Sequence, residues 1–370
     1  MFFDPFRPRP PTCDPRVVGN LTKVGLGAAA IGVAGLGYSL LEARSYRLRR
    51  VDVPVLPTGS PPLRVLHLSD LHMTPNQRRK RDWVRRLASL SPDAVVVTGD
   101  FLAHQESVPY ALEVLEPLLD KPGAFVLGSN DYYEPTLKNP IRYLLPDVGR
   151  RIQGRMLPWT DLTRGLSGSG WLDLSNARGV LKVDGREIDI RGVDDPHIKR
   201  DDYGQVSGAF DAGADLSLGV THAPYLRILD AMAADGAGLI LAGHTHGGQL
   251  CLPGIGALVT NCDLDRRRAK GLHRYAKPFN PTDSTQSDPS LGGVDGRGTW
   301  LHVSAGVGDE SVHPRSLLLS ARSNAAHLDL DRLTGSSSAG SAISDTSARE
   351  GVEASTRLDS AGCTGCSAAW

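Results

Sequence analysis

The sequence predicts an α/β fold, and two observations carry that reading. Short apolar runs alternate with helix-spaced segments from Leu63 onward: Arg64-Val-Leu-His-Leu68, then Arg78 to Leu90, then Asp93-Ala-Val-Val-Val-Thr98, then Val108 to Leu119, then Ala124-Phe-Val-Leu127. A β-α-β-α-β order of this kind calls for parallel strands joined by crossover helices. Further on, Val180-Leu-Lys-Val183 and Glu187-Ile-Asp-Ile190 flank Asp184-Gly185. Asp-Gly between alternating runs is a strong hairpin signal, so the sheet also gains antiparallel strands and is mixed.

The remaining elements follow in order. Trp83, Val84 and Leu87 share one face of the first helix. Asn139 to Leu145, with Pro140 near its start, opens a short helix. Ala214 to Val220 and Gly238 to Ala242 are buried strands, with a helix over Tyr225 to Ala234 between them. Trp300-Leu-His-Val-Ser304 is another strand, and Leu317 to Leu330 supplies a last hairpin. This places one folded domain over residues 62–332, with a Pro-, Ser- and Gly-rich flexible loop at 276–298. Residues 42–61 hold several prolines and read as a linker. Residues 1–23 and the Ser/Ala/Gly tail at 333–370 are expected to be disordered, because neither buries enough apolar surface to offset chain entropy.

Residues 24–41 carry no charge and reach the lower length limit for a membrane-spanning helix. A single-pass N-terminal transmembrane anchor is the expectation. A cleaved signal peptide competes with it, but no small-x-small cleavage site follows before Arg44. Both flanks are basic, so the side that carries the domain stays open.

Composition narrows the function. Lys and Arg total 41 against 41 Asp and Glu, so no global field draws in nucleic acid, and none is expected as a partner. The five cysteines are too scattered for a disulfide framework.

The informative residues follow the strands. Ser69-Asp70-Leu71-His72 comes after Leu68, and Gly99-Asp100 after Thr98. Gly128-Ser129-Asn130-Asp131 comes after Leu127, Thr221-His222 after Val220, and Gly243-His244-Thr245-His246-Gly247-Gly248 after Ala242. In a parallel sheet these turns lie along one edge, where α/β proteins place their ligands. In extended chain Asp70 and His72 point to one face, as do His244 and His246. The inventory of Asp70, His72, Asp100, Asn130, His222, His244 and His246 is too large for one metal. It suits two metals about 3.5–4 Å apart that share a carboxylate. Imidazole, carboxylate and amide oxygen without thiolate favour Mn, Fe or Zn.

This ordered set resembles the calcineurin-like metallophosphoesterase superfamily, whose pattern is D-x-H, G-D, G-N-H-[DE], a lone H and G-H-x-H. The phrasing "LHLSDLH", "VVVTGD", "VTHAP" and "LAGHTHGGQL" is most similar to its membrane-anchored bacterial phosphoesterase branch. The resemblance implies a four-layer α/β/β/α sandwich of two mixed sheets. It implies a first metal on Asp70, His72, Asp100 and His246, and a second on Asp100, Asn130, His222 and His244, with Asp100 bridging. It further implies hydrolysis of phosphodiesters or phosphomonoesters by a metal-bridging hydroxide, on a phosphate-ester substrate that the anchor would keep near the membrane, such as a lipid-linked one.

The match is weakest at Gly128-Ser-Asn-Asp131, which has no His where the family protonates the leaving group. Asn130 is preferred to Ser129 as the ligand, because an amide oxygen binds divalent cations better than a hydroxyl. Asp131 then stands where the proton donor belongs, and His104, four residues after Asp100, is a second candidate. His197 in Val193-Asp-Asp-Pro-His197 is a weaker one, for which a turn role is preferred. The basic run Arg266-Arg267-Arg268-Ala-Lys270 reads as a solvated loop or as a contact for anionic lipid. The competing function is a non-catalytic metal-binding module on the same fold.

Overall fold

The computed structural model describes residues 46–57, 59–136, 154–248, 250–252, 256–275, 298–307 and 324–332. The predicted anchor at 24–41, the helix at 139–145, nearly all of the 276–298 loop and the 333–370 tail lie outside these. Among the described residues no helix is long and apolar enough to cross a membrane.

Two six-stranded mixed sheets form the frame. In the first, the spatial order is β1 (Arg47–Leu56), β14 (Asn324–Arg332), β2 (Leu63–Leu68), β3 (Ala94–Thr98), β4 (Gly123–Val126) and β5 (Leu172–Asp173). In the second it is β12 (Gly271–Tyr275), β13 (Thr299–Val303), β9 (Leu239–Ala242), β8 (Leu216–Val220), β7 (Arg186–Gly192) and β6 (Ala177–Val183). A separate hairpin joins β10 (Leu250–Leu252) to β11 (Gly256–Val259). The strands β2 to β5 run parallel, as do β7, β8, β9 and β13. The helices are α1 (Arg78–Arg86), α2 (Val108–Leu115), the single turn α3 (Ser129–Tyr132), α4 (Trp159–Gly168) and α5 (Leu226–Ala234).

Period-2 alternation explains the layering. Leu66, Leu68, Val95, Val97 and Phe125 face outward beneath α1, α2 and α4. Their neighbours Leu63, Val65, Val96 and Val126 face inward and meet Leu181, Ile188, Leu216 and Leu239 of the second sheet. Ile240, Ala242, Leu301 and Val303 leave the second sheet on its far side, against Ile228 and Leu229 of α5. Strands buried on both faces read as continuous apolar runs, which is why they were legible. The Asp184-Gly185 turn has φ of 48° and 79°, as a tight two-residue hairpin requires.

Two expectations need correction. Residues 47–56 are a strand rather than a linker, and β1 pairs in parallel with β14. Its Pro54 lies on a sheet edge, where a missing N–H costs little, and the register shifts between Pro54 and Leu56. The 317–330 stretch is also no hairpin within the described residues. From Asn324 it is one strand, inserted between β1 and β2.

Candidate metal centre

The parallel strands of both sheets end along one edge, and their turns converge there. His72 Nε2 lies 3.3 Å from His246 Nε2. His222 Nε2 lies 3.3 Å from His244 Nδ1. Between these two imidazole pairs sits the Asp100 carboxylate, its Oδ2 3.6 Å from His72 Nε2 and 3.5 Å from His222 Nε2. Asp70 Oδ1 is 3.4 Å from His246 Nε2. The ligand atoms of Asp70, His72, Asp100 and His246 all lie within 4.8 Å of one another.

The backbone at these turns is unusual. Of the ten non-glycine residues with left-handed backbone among those described, five are Asp70, His72, Asp100, His244 and His246. Each such conformation costs on the order of 1 kcal/mol or more, and it persists only where the surroundings enforce it. It also corrects the alternation argument. Asp70 and His72 converge because a turn folds them together, not because the chain is extended, while His244 and His246 join different pairs. The turns are held by the Asp70 and His72 N–H groups donating to the carbonyls of Gly99 and Asp100, both at 2.9 Å. The fully buried Lys80 of α1 donates to the Leu71 carbonyl between them, at 2.9 Å. Two glycines are obligatory for space: a Cβ on Gly128 would stand 2.3 Å from Asp100 Oδ1, and one on Gly243 would overlap Ser69 Oγ.

These residues fit divalent cations. Asp70 Oδ1 is buried without a hydrogen-bond partner, which is costly for a carboxylate unless a cation satisfies it. His222 Nδ1 must donate to the Thr98 carbonyl at 2.6 Å, which leaves the lone pair on Nε2 facing the site. His244 Nδ1 faces His222, and its Nε2 lies 3.4 Å from both the carbonyl oxygen and the side-chain Nδ2 of Asn261, which fit opposite tautomers. Burial lowers the His222 imidazole, but Asp100, with Asp195 and Asp70, raises it well above its usual range. A field that would hold a proton there would equally hold a cation. His244, beside His197 and His222, is pushed well below its usual range, mainly by burial.

The other predicted residues separate. Asn130 joins the cluster: its N–H donates to Asp100 Oδ1 at 2.8 Å and its Nδ2 to Asp100 Oδ2 at 2.9 Å. As placed, the amide faces Asp100 with nitrogen, and a half-turn of the group would present oxygen. Asp131 does not stand as a proton donor, which corrects that expectation. Its Oδ2 accepts the N–H groups of Asp100 and Gly128 at 2.9 and 2.8 Å, and its Oδ1 those of Phe101 and Leu102 at 2.7 and 3.1 Å. Burial and the Asp100 charge push its carboxyl up to about 8. The four N–H donors oppose this, and they decide, because a proton on either oxygen would set donor against donor. His104 is also set apart. Its Nδ1 accepts the Glu106 N–H at 3.1 Å, a local turn contact, and it makes no hydrogen bond, ion pair or ring contact with the cluster.

His197 is the residue that sequence reasoning undervalued. Its ring centroid lies 4.4 Å from that of His244, and its Nδ1 is 3.1 Å from Tyr225 Oη. The turn role also holds, since Asp195 Oδ1 accepts the His197 N–H at 2.8 Å. The loop that carries it is tied to α3: Tyr132 Oη donates to Asp194, Arg200 Nε donates to the same carboxylate, and the Arg200 guanidinium lies 3.9 Å over the Tyr132 ring. The missed signal was the end of β7. That strand sits in a hairpin on one side but runs parallel to β8 on the other, so its end reaches the same edge.

The model of the calcineurin-like phosphoesterase family matches residues 63–248, half of the chain. A Bacillus subtilis protein named uncharacterized metallophosphoesterase YkoQ is 30% identical over 223 residues, which cover 59% of this chain and 74% of that protein. An Aquifex aeolicus uncharacterized metallophosphoesterase is 26% identical over 246 residues, covering 62% and 80%. A Bos taurus transmembrane protein with metallophosphoesterase domain is 27% identical over 267 residues, covering 66% and 56%.

Proposed function

The chain belongs to the calcineurin-like phosphoesterase family and is a metal-dependent phosphoric ester hydrolase, and from that premise we propose that its strand-edge cluster holds two divalent cations. The observation that carries this is the place of Asp100. One carboxylate oxygen stands within 3.6 Å of an imidazole from each of two facing pairs. Asp70, His72 and His246 would hold one cation with Asp100. His222, His244 and Asn130 would hold the other with the same carboxylate. When bound, the two ions would supply Lewis acidity toward the phosphoryl oxygens and lower the pKa of a water.

The chain's own residues do the rest. The Thr98 carbonyl fixes the tautomer of His222, and Asn261 lines the far edge of the His244 ring. Asp131 holds Asp100 in place through four backbone N–H groups and is a positioning residue. His197, beside His244, delivers the proton to the leaving oxygen in place of the histidine that Gly128-Ser-Asn-Asp131 lacks, and Tyr225 orients its ring. The substrate is a phosphate diester or monoester. We place it at a membrane, because residues 24–41 form an uncharged stretch of spanning length and the bovine relative is named a transmembrane protein.

The test is hydrolysis of bis-p-nitrophenyl phosphate by the full chain in neutral detergent with Mn²⁺, read together with bound metal per chain. Turnover with about two bound metals is expected. No turnover with any divalent metal, together with under one bound metal per chain, would overturn the reading and leave a binding module.

A further inference from the structure

A second feature lies at the edge of the sandwich, where β1 faces β12 and β13. A pocket of about 830 Å³ opens there, and its walls carry Arg49 and Arg50 from β1 and Lys270, His273 and Arg274 from the β12 side. Asp52 is the one carboxylate in the lining. Among the described residues neither Arg50 nor Arg274 has a carboxylate partner. The Arg274 guanidinium instead lies 4.1 Å over the Trp300 ring and donates to the Gly298 carbonyl. Four permanent cations around one concavity repel each other, and nothing described in the fold neutralises Arg50 or Arg274.

Two further observations point to an anion. Trp300 forms part of the wall, and its indole Nε1 is buried with no acceptor. Such orphaned donors are rare, and a ligand oxygen would satisfy this one. On the pocket floor, burial, His273 and Arg49 together push the His302 imidazole down to about 3, so it is neutral and lies within a positive field.

We propose that this pocket is a binding site for a phosphate-bearing anion, distinct from the metal centre. Guanidinium groups match phosphate oxygens through paired N–H donors, which a lone ammonium cannot do. The apolar faces of Trp300 and Leu272 leave room for an attached glyceryl or lipid group. The pocket ends at Lys270 and Ala305, and both crowd Gly247, the residue after His246: a Cβ there would stand 3.2 Å from Lys270 Cδ and from Ala305 Cβ. A bound phosphate group would therefore lie behind the loop that carries the metal ligands. The pocket's walls come from β1, β12 and β13, so its chemistry is independent of what the metal centre holds.

The phosphate could belong to a lipid headgroup or to a free small molecule, and one experiment separates these. The full chain in neutral detergent, with chelator present so that the metal centre takes no anion, is titrated with inorganic phosphate, glycerol 3-phosphate and short-chain phosphatidylglycerol. Tryptophan fluorescence and calorimetry read the binding. Saturable binding is expected, with a fluorescence change that Trp300→Phe abolishes and an affinity about tenfold weaker in Arg50→Gln and again in Arg274→Gln. Arg50 is exposed, so its substitution leaves the fold intact. Tighter binding of the phospholipid than of glycerol 3-phosphate identifies a lipid headgroup, and equal binding a free phosphate. Either supports the site. Equal affinity of both arginine variants and the parent, a fluorescence change that survives in Trp300→Phe, or no binding of any of the three anions would overturn it.

Discussion

Asp131→Asn is the sharpest test of how the centre is held. The carboxylate accepts four buried backbone N–H groups, two on each oxygen. An amide in the same place keeps one oxygen and turns an NH₂ group toward the other two donors. Leaving a buried donor unsatisfied costs about 1–3 kcal/mol, so the variant should lose about 2–6 kcal/mol. That is a large share of the roughly 5–15 kcal/mol that stabilises an ordinary domain. The assay is urea denaturation of the full chain in neutral detergent, with chelator present so that metal affinity does not contribute. A clearly lower midpoint with an unchanged slope is expected. Activity should fall for good and poor leaving groups alike, because Asp100 loses its anchor. If Asp131 were instead a free acid, the midpoint would stay where it is and only poor leaving groups would slow. That pattern would refute the positioning role.

Three further outcomes follow from the same geometry. Asn130→Ala should lose much of the second equivalent of metal in a bound-metal assay while Ser129→Ala keeps both, and equal metal in Asn130→Ala and the parent would end its assignment as ligand. His197→Gln should slow alkyl phosphodiesters by about 10²-fold or more and leave p-nitrophenyl esters nearly unchanged, and an equal loss on both would remove it as proton donor. Adding Mn²⁺ at about 100 times its Kd to the chelated chain should stabilise it by about 2.7 kcal/mol, seen as a rise of roughly 5–10 °C in Tm; an unchanged Tm would mean that the buried carboxylates bind no cation.

How much of this was legible depends on whether the cause was local. Asp70, His72, Asp100, His222, His244 and His246 were legible because each follows an apolar run, and a run buried on both faces announces its own end. His197 was not, since the role of β7 depends on a partner strand 28 residues away: Ile188 pairs with Leu216 in parallel. β1 was hidden by Pro54 and by the prolines that follow it, and the edge position excuses Pro54. Lys80 was hidden because a lysine on a helix reads as solvated until the carbonyl it meets is known.

The Gly128-Ser-Asn-Asp131 turn shows the limit most clearly. Sequence reasoning asked which polar side chain faced the substrate, and the structure divides them by what they face. Asp131 turns inward to the backbone N–H groups of residues 100–102 and 128. That need explains an acid at this place in a turn that has no histidine. Asn130 faces the Asp100 carboxylate and reaches it with both its N–H and its side chain. With no histidine in this turn, the proton delivery we propose comes from another strand end. Among the described histidines outside the four of the cluster, the one in ring contact with that cluster is His197.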